Sequence, residues 1–306
     1  MKDGIIDEKD FKIYRTMTEL YADTMCSVED GSKHLKDCIE RNCSNCEVSS
    51  IKFSNPELSK ADHVPDLKWK TFEYIDIKTK HGTNKKLTLV DKTTKPGEMI
   101  DNLRKVLQFF PGHNFRAKWQ TDQLKNIIEN LPKNECVTVH YFSENYRCTD
   151  RVEIQSSYFQ RTEVSIHVTL IYRHSLLDVD GESSTPDDPN IVCEHFYAIS
   201  RDDKHDQHFV HHVQTFISHY LQSINYSVTT LHEFCDGCQG QYKSRNCVGN
   251  IAESFQDLGY SKLVRNFFES SHGKGSQDAW EGRNPMCSRP IQFCRSKTKN
   301  NPFSQL

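Results

Sequence analysis

Three sets of residues in this 306-residue chain have the types and spacing to do chemistry. The first is a cysteine cluster, Cys26 and then Cys38-x4-Cys43-x2-Cys46 within HLKDCIERNCSNCEV. Four thiolates in about twenty residues suit a tetrahedral Zn2+, which would staple a segment too polar to fold unaided. Only Cys43 and Cys46 have the two-residue knuckle spacing; Cys26 is the expected fourth ligand, with His34 as its competitor and unligated thiols as the alternative. The second set is FCDGCQGQYKSR, in which Asp236 precedes two glycines and is followed by Lys243 and Arg245, both phosphate-type donors. Asp-Gly is also an ordinary turn signal. The third is SSHGKGSQDAW: Gly273 and Gly275 frame Lys274, Ser271 and His272 are further phosphate-contacting types, and Asp278 opens a predicted helix. A glycine loop capped by Asp278 fits the same residues.

Two other groupings carry less. DDKHDQHFVHHVQTFISHY holds His205, His208, His211, His212 and His219, some at the i, i+3 and i+4 spacing of metal ligands. The apolar stripe Phe209, Val213, Phe216, Tyr220 leaves most of them on the solvated or edge face, as ordinary surface histidines. Cys235, Cys238 and Cys247 have no base placed beside them that would make a nucleophile.

The elements that must position these groups follow from periodicity. Residues 1–50 form a Cys-rich module with a short helix marked by Phe11, Tyr14, Leu20 and Tyr21. Residues 51–131 comprise a strand pair, TFEYIDIK and KLTLV, and a helical pair broken at Pro111-Gly112. From 132 to 280 the pattern reads as strands at 136–143, 163–173 and 191–200, a helix at 206–224, a strand at 228–235, a helix from Tyr242 to Leu258, and a strand at 262–269 before the helix near Gly275.

This βββαβαβα order is that of an RNase H-like mixed α/β sheet. Chemistry in such a sheet needs acids on strand one, at the end of strand four, and on the helix after strand five. Two Mg2+ ions, hard cations that take oxygen ligands, must be clamped about 3.5 to 4 Å apart around a phosphate. Asp236 and Asp278 fall at the second and third places. Strand one, VTVHYFSENYRC, has His140, Tyr141 and Phe142 at its centre and no acid there. Glu144 is a weak substitute, because three residues along a strand reverse the face.

The stretches HNFRAKWQ (113–120), FSENYRC (142–148), EIQSSYF (153–159), KHDQHF (204–209), FCDGCQGQYKSR (234–245) and FFESSHGKG (267–275) form an ordered series. On these residues the chain resembles a family of animal transposon-encoded proteins of the DDE transposase type, over roughly residues 26 to 280. The resemblance implies an RNase H-like transposase core, Mg2+ or Mn2+ at the acids, DNA as partner, and a nuclear location. It sets the first acid immediately before the FSENY string, where Tyr141 stands, and carries the second and third onto Asp236 and Asp278. Cys38, Cys43 and Cys46 fall within it. Beyond Asp278 the family continues with a glycine pair and a basic helix, whereas residues 281–306 depart from it and are expected to be an aberrant, unstructured tail. The implied function is a transposase-derived, nucleic-acid-associated protein impaired in catalysis by Tyr141. An active Mg-dependent strand-transferring nuclease and a non-functional transposon remnant are the alternatives.

Composition bounds these readings. With 39 Lys and Arg against 42 Asp and Glu the formal charge is -3, so no global positive field draws the chain onto DNA and any contact must be local. A mean hydropathy of -0.71 beside 17 Phe and 12 Tyr describes a globular chain with a polar surface. No apolar run reaches the roughly 18 residues of a membrane helix, and the charged start MKDGIIDEKDFK is unlike a secretory signal. The expectation is an intracellular protein away from membranes, with homo-oligomerisation open.

Overall fold

The computed structural model describes residues 14–27, 34–79, 82–143, 145–148, 163–201, 204–269 and 293–298. The chain divides into two compact units, Met1–Arg116 and Ala117–Leu306. The division falls inside a helix; the domain boundaries expected from the sequence lie after residues 50, 131 and 280.

In the first unit, α1 (Met17–Ala22) is capped by Thr16, whose side chain accepts the Glu19 N–H. Short helices α2 (Lys36–Ile39) and α3 (Asn55–Leu58) follow. Strands β1 (Leu67–Thr79) and β2 (Gly82–Thr94) pair antiparallel into a two-stranded ribbon, as the alternating runs predict. Helix α4 (Pro96–Glu129) comes next. It starts against α3 so closely that a Cβ on Gly97 would collide with the Leu58 carbonyl oxygen. The fully buried Leu107 packs with Leu20, Val48 and Ile51 in the core of this unit.

The expected break at Pro111 is absent: α4 runs straight through it. A proline inside a helix removes the N–H that would serve the carbonyl four residues earlier, here that of Leu107. The guanidinium of Arg41 takes its place, donating from Nη2 to Leu107 O at 3.0 Å. A donor supplied from elsewhere in the chain lets the helix continue where local sequence says stop.

In the second unit a mixed sheet runs in the order β8-β7-β3-β5-β6-β9. Its strands are β3 (Glu135–Phe142), β5 (Glu163–His174), β6 (Ile191–Ser200), β7 (Thr230–Cys235), β8 (Lys262–Phe267) and β9 (Phe293–Thr298), with β4 (Tyr146–Arg147) paired to β5. Strands β3, β7 and β8 are parallel, while β5 is antiparallel to both β3 and β6. Residues Ser165 to His174 of β5 are all buried, so both faces of the sheet are covered. On one face Cys136, Ile171, Phe196 and Leu231 meet Val213, Ile217 and Leu221 of the helix Gln207–Ser223. On the other, Val137, Val139, Leu170 and Phe234 meet Ile128 of α4.

The tail offers a correction. Phe293–Thr298, placed by the sequence reading in an unstructured segment, forms β9 on β6. An open β6 edge would leave a row of N–H and C=O groups unpaired, and an extended segment satisfies them.

The remaining elements of this unit are α5 (Leu177–Asp180), α6 (Gln207–Ser223), a π-helical turn (Gln239–Lys243) and α7 (Arg245–Asp257). Helix α6 starts at Asp206, whose carboxylate accepts the His208 and Phe209 N–H groups. As the apolar stripe predicts, His208, His212 and His219 are exposed. Arg173 of β5 is fully buried between two carboxylates: it grips Glu194 (2.7 and 3.1 Å) and Asp180 (2.8 and 3.2 Å). The Tyr220 hydroxyl completes the set with bonds to Glu194 at 2.9 and 3.1 Å.

Candidate functional site

The cysteine centre lies in the first unit. Cys26 follows α1, Cys38 sits on α2, and Cys43 and Cys46 lie in the turns after it. Those turns are set locally: Arg41 takes a left-handed backbone (φ 61°), and the Asn42 and Cys43 N–H groups both bond Asp37 O, at 2.8 and 3.1 Å. The Arg41 side chain then reaches back to Thr24 O at 2.7 Å, fixing the approach of the chain to Cys26.

All four sulfurs lie within 4.8 Å of one another, and Cys26 Sγ stands 3.5 Å from Cys46 and 3.7 Å from Cys43. Tetrahedral zinc with Zn–S near 2.3 Å requires sulfurs about 3.8 Å apart, so the set has the size such an ion needs. The Cys43 thiol is held below its usual value, first by the backbone of Asn45; Cys26 is pushed up to about 12 by sharing hydrogen bonds with Cys46 and Cys43. This is the only metal-type cluster of Cys, His, Asp and Glu among the described residues, and it includes Cys26 and not His34. The centre could hold a structural metal such as zinc.

The second candidate site is the carboxyl edge of the parallel strands. The register pairs His140 with Cys235, the last residue of β7, and Tyr141 and Asp236 are the residues that follow each of them in the chain. Alternation along β3 puts Tyr141 on the face of Val139. Tyr141 packs against Val168 and Tyr197. Asp236 Oδ1 accepts the Cys238 N–H at 3.0 Å, so the carboxylate also stabilises the Asp-Gly turn that the sequence allowed.

Lys243 ends the π-helical turn with Nζ 4.5 Å over the Phe267 ring; a Cβ on Gly237 would lie 3.0 Å from that Nζ, so the glycine gives the ammonium its room. Arg245 opens α7 and is exposed. Glu144, Ser271, His272, Lys274 and Asp278 lie outside the described residues. Beside Lys243 opens a cavity of about 480 Å³ lined by Trp119, Gln120, Gln123, Arg265 and Phe267, among others. Gln120 Oε1 accepts the Glu269 N–H at 2.5 Å and holds its wall. No role was expected of these wall residues from the sequence; the signal was their presence in two of the quoted stretches, 113–120 and 267–275, or next to them.

Just inside this edge, on the opposite face, lies a buried polar network that periodicity gave no hint of. The fully buried Glu233 receives Arg265 at 2.8 and 2.9 Å and the Gln214 amide, with His140 Nε2 3.5 Å away. His140 Nδ1 meets Thr169 Oγ1 at 3.0 Å, and His167 Nε2 meets the Tyr242 hydroxyl at 3.1 Å. Burial alone would raise the Glu233 carboxyl; Arg265 and then His140 outweigh it and hold it at about 2. Burial, aided by His140 and His205, keeps the His167 ring neutral with a pKa well below its usual value.

A carboxyl depressed in the folded state stabilises fully above its unfolded value near 4.5 and loses that contribution as pH falls towards 2. Glu233→Gln is therefore expected to remove about 3 kcal/mol at neutral pH and to flatten the dependence of unfolding free energy on pH between 4.5 and 2. Denaturant titrations across that range would read both. An unchanged slope would mean Glu233 is not the titrating group.

The fold and centres define a mixed α/β protein with a four-cysteine metal-type centre at its N-terminal side. The chain belongs to the family whose model is described as a domain of unknown function, DUF8701, matched over residues 120–286, more than half of its length. No curated protein and no solved structure matches it. No helix among the described residues is long and apolar enough to cross a membrane.

Proposed function

We propose that this chain is a transposase-derived protein with an RNase H-like core, one that holds DNA at the carboxyl edge of its sheet without cutting it. The observation that supports the reading is the register of β3 and β7, which pairs His140 with Cys235, the residues just before Tyr141 and Asp236, the positions at which the resemblance expects the first two acids. The strand order β8-β7-β3-β5-β6, with β5 antiparallel to its neighbours, supports the core assignment. Lys243 and Arg245 beyond Asp236 supply local phosphate donors on a chain of net charge -3. A phenol at position 141 offers no carboxylate to Mg2+ or Mn2+, and an incomplete clamp costs orders of magnitude in phosphodiester cleavage. Such a protein works in the nucleus.

The test pairs the native chain with Tyr141→Asp on duplex DNA carrying the terminal repeats of the parent element, with Mg2+ or Mn2+ present. The native chain is expected to bind and leave the DNA intact, and the variant to gain metal-dependent nicking by about a hundredfold or more over the native background. Cutting by the native chain would overturn the reading in favour of an active nuclease. Failure of the native chain to bind any DNA would overturn it as well.

The same proposal takes zinc as the metal of the cysteine centre. Four thiolates at this separation select a soft, tetrahedral ion over Mg2+.

A further inference from the structure

The β1–β2 ribbon lacks what normally holds such an element in place. A two-stranded ribbon is marginal in water by itself, and none of its side chains joins any hydrophobic cluster among the described residues. One of its faces nevertheless carries two adjacent apolar cross-strand pairs, Phe72 with Leu89 and Tyr74 with Leu87. These four side chains are 66, 47, 71 and 50 % exposed in that order. A contiguous apolar patch of this kind marks a surface that is covered in use.

The charges around the patch identify what covers it. On the same face Lys70 stands opposite Asp91, an ion pair at 3.3 Å, at one end of the patch. At the other end the order is reversed, with Asp76 on β1 opposite Lys85 on β2. The four charges alternate around an apolar centre. A two-fold rotation about an axis along the strands, in the plane of the face, lays β1 of one copy over β2 of another. It brings Lys70 over the partner's Asp91, Asp76 over the partner's Lys85, Phe72 over the partner's Leu89 and Tyr74 over the partner's Leu87. The outer Lys68 and Lys78 then meet only the partner's Thr93 and the partner's Thr83, so no like charges collide. From this self-complementarity we infer that the exposed ribbon face is a dimerisation surface, and that its occupant is the same face of a second copy of this chain.

The arrangement is isologous, the form a closed two-fold dimer requires, with an apolar centre and a charged rim. Duplex DNA would find Lys68, Lys70, Lys78 and Lys85 on this face, but Lys70 is already paired with Asp91, Asp76 stands opposite Lys85, and the apolar centre offers a phosphate nothing, so a second copy matches more of the face. The face spans roughly ten residues at ~3.4 Å each and two strands in width, about 340 Å² per copy in projection. That is well under the ~800 Å² per partner of stable complexes, so the dimer is weak and concentration-dependent. The inference does not depend on whether the chain binds nucleic acid.

Sedimentation of the full chain over roughly 1 to 300 µM tests it. The native chain is expected to pass from monomer to dimer in that range, and Tyr74→Lys and Leu87→Lys to stay monomeric. Because these side chains lie outside every described core, thermal unfolding should report intact folding for both variants. Lys70→Asp is expected to weaken the dimer at least tenfold by facing the partner's Asp91, and Lys70→Asp with Asp91→Lys to restore it. A native chain monomeric throughout, a dimer indifferent to Tyr74→Lys and Leu87→Lys, or a double variant that fails to recover would each overturn the inference. So would protection of this face by duplex DNA instead of by self-association.

Discussion

Stripping the zinc proposed for the Cys26, Cys38, Cys43 and Cys46 centre is expected to unfold the segment from α1 to the turns after α2. The buried side chains of the local cluster are Met25, Cys38, Ile39 and Cys46, so half of that small core consists of the proposed ligands themselves. Little apolar area remains to offset the conformational entropy of the turns once the sulfurs no longer share an ion. Structural zinc in comparable centres contributes roughly 10 to 16 kcal/mol at neutral pH, more than this segment's own packing can replace. Metal analysis of the purified chain should find one equivalent of zinc. A chelator should release it while limited proteolysis opens the chain between α1 and α3 and leaves the second unit, with its separate clusters, intact. Cys46→Ser should show the same cleavage pattern without chelator. A metal-free chain equally resistant to proteolysis would reject a structural role for the centre.

The second large effect is expected at Arg173. Its guanidinium is fully buried and forks onto both Glu194 and Asp180, which are themselves almost wholly enclosed. Arg173→Ala leaves two buried carboxylates without a countercharge, and breaking a buried ion set from one side costs about 3 to 5 kcal/mol. Replacing Arg173, Glu194 and Asp180 together with apolar residues of similar volume should recover much of that loss, since the desolvation penalty of all three charges disappears with them. Urea unfolding monitored by tryptophan emission would measure both variants. A loss below about 1 kcal/mol for Arg173→Ala would show that water reaches the acids after all.

What could be read from the sequence was what depends on near neighbours along the chain. The alternating runs gave strands β3, β5 and β6 to within a residue or two and the ribbon as a shorter pair, and the stripe through Val213 and Ile217 gave α6 with its exposed histidines. Asp236 was placed at a strand end, which is where it lies. What failed depends on partners far apart in sequence. Pro111 reads as a helix stop because the donor that excuses it, Arg41, is seventy positions away. Glu233 looks like any strand residue until Arg265 is seen beside it, and the choice between Cys26 and His34 needed the turns that bring Cys43 and Cys46 round. The strand at Phe293–Thr298 was missed because its reason is an open edge on β6, and no feature of its own residues states that.

Arg41 also sets how the first unit comes apart. One guanidinium holds Thr24 O, beside the cysteine turns, and Leu107 O, the carbonyl that Pro111 leaves without a donor. Loosening the turns withdraws the helix's missing hydrogen bond, and fraying the helix at Leu107 releases the turns. The two therefore open as one cooperative unit, and their amides should exchange with solvent together, at a common rate, although some sixty residues of chain separate them.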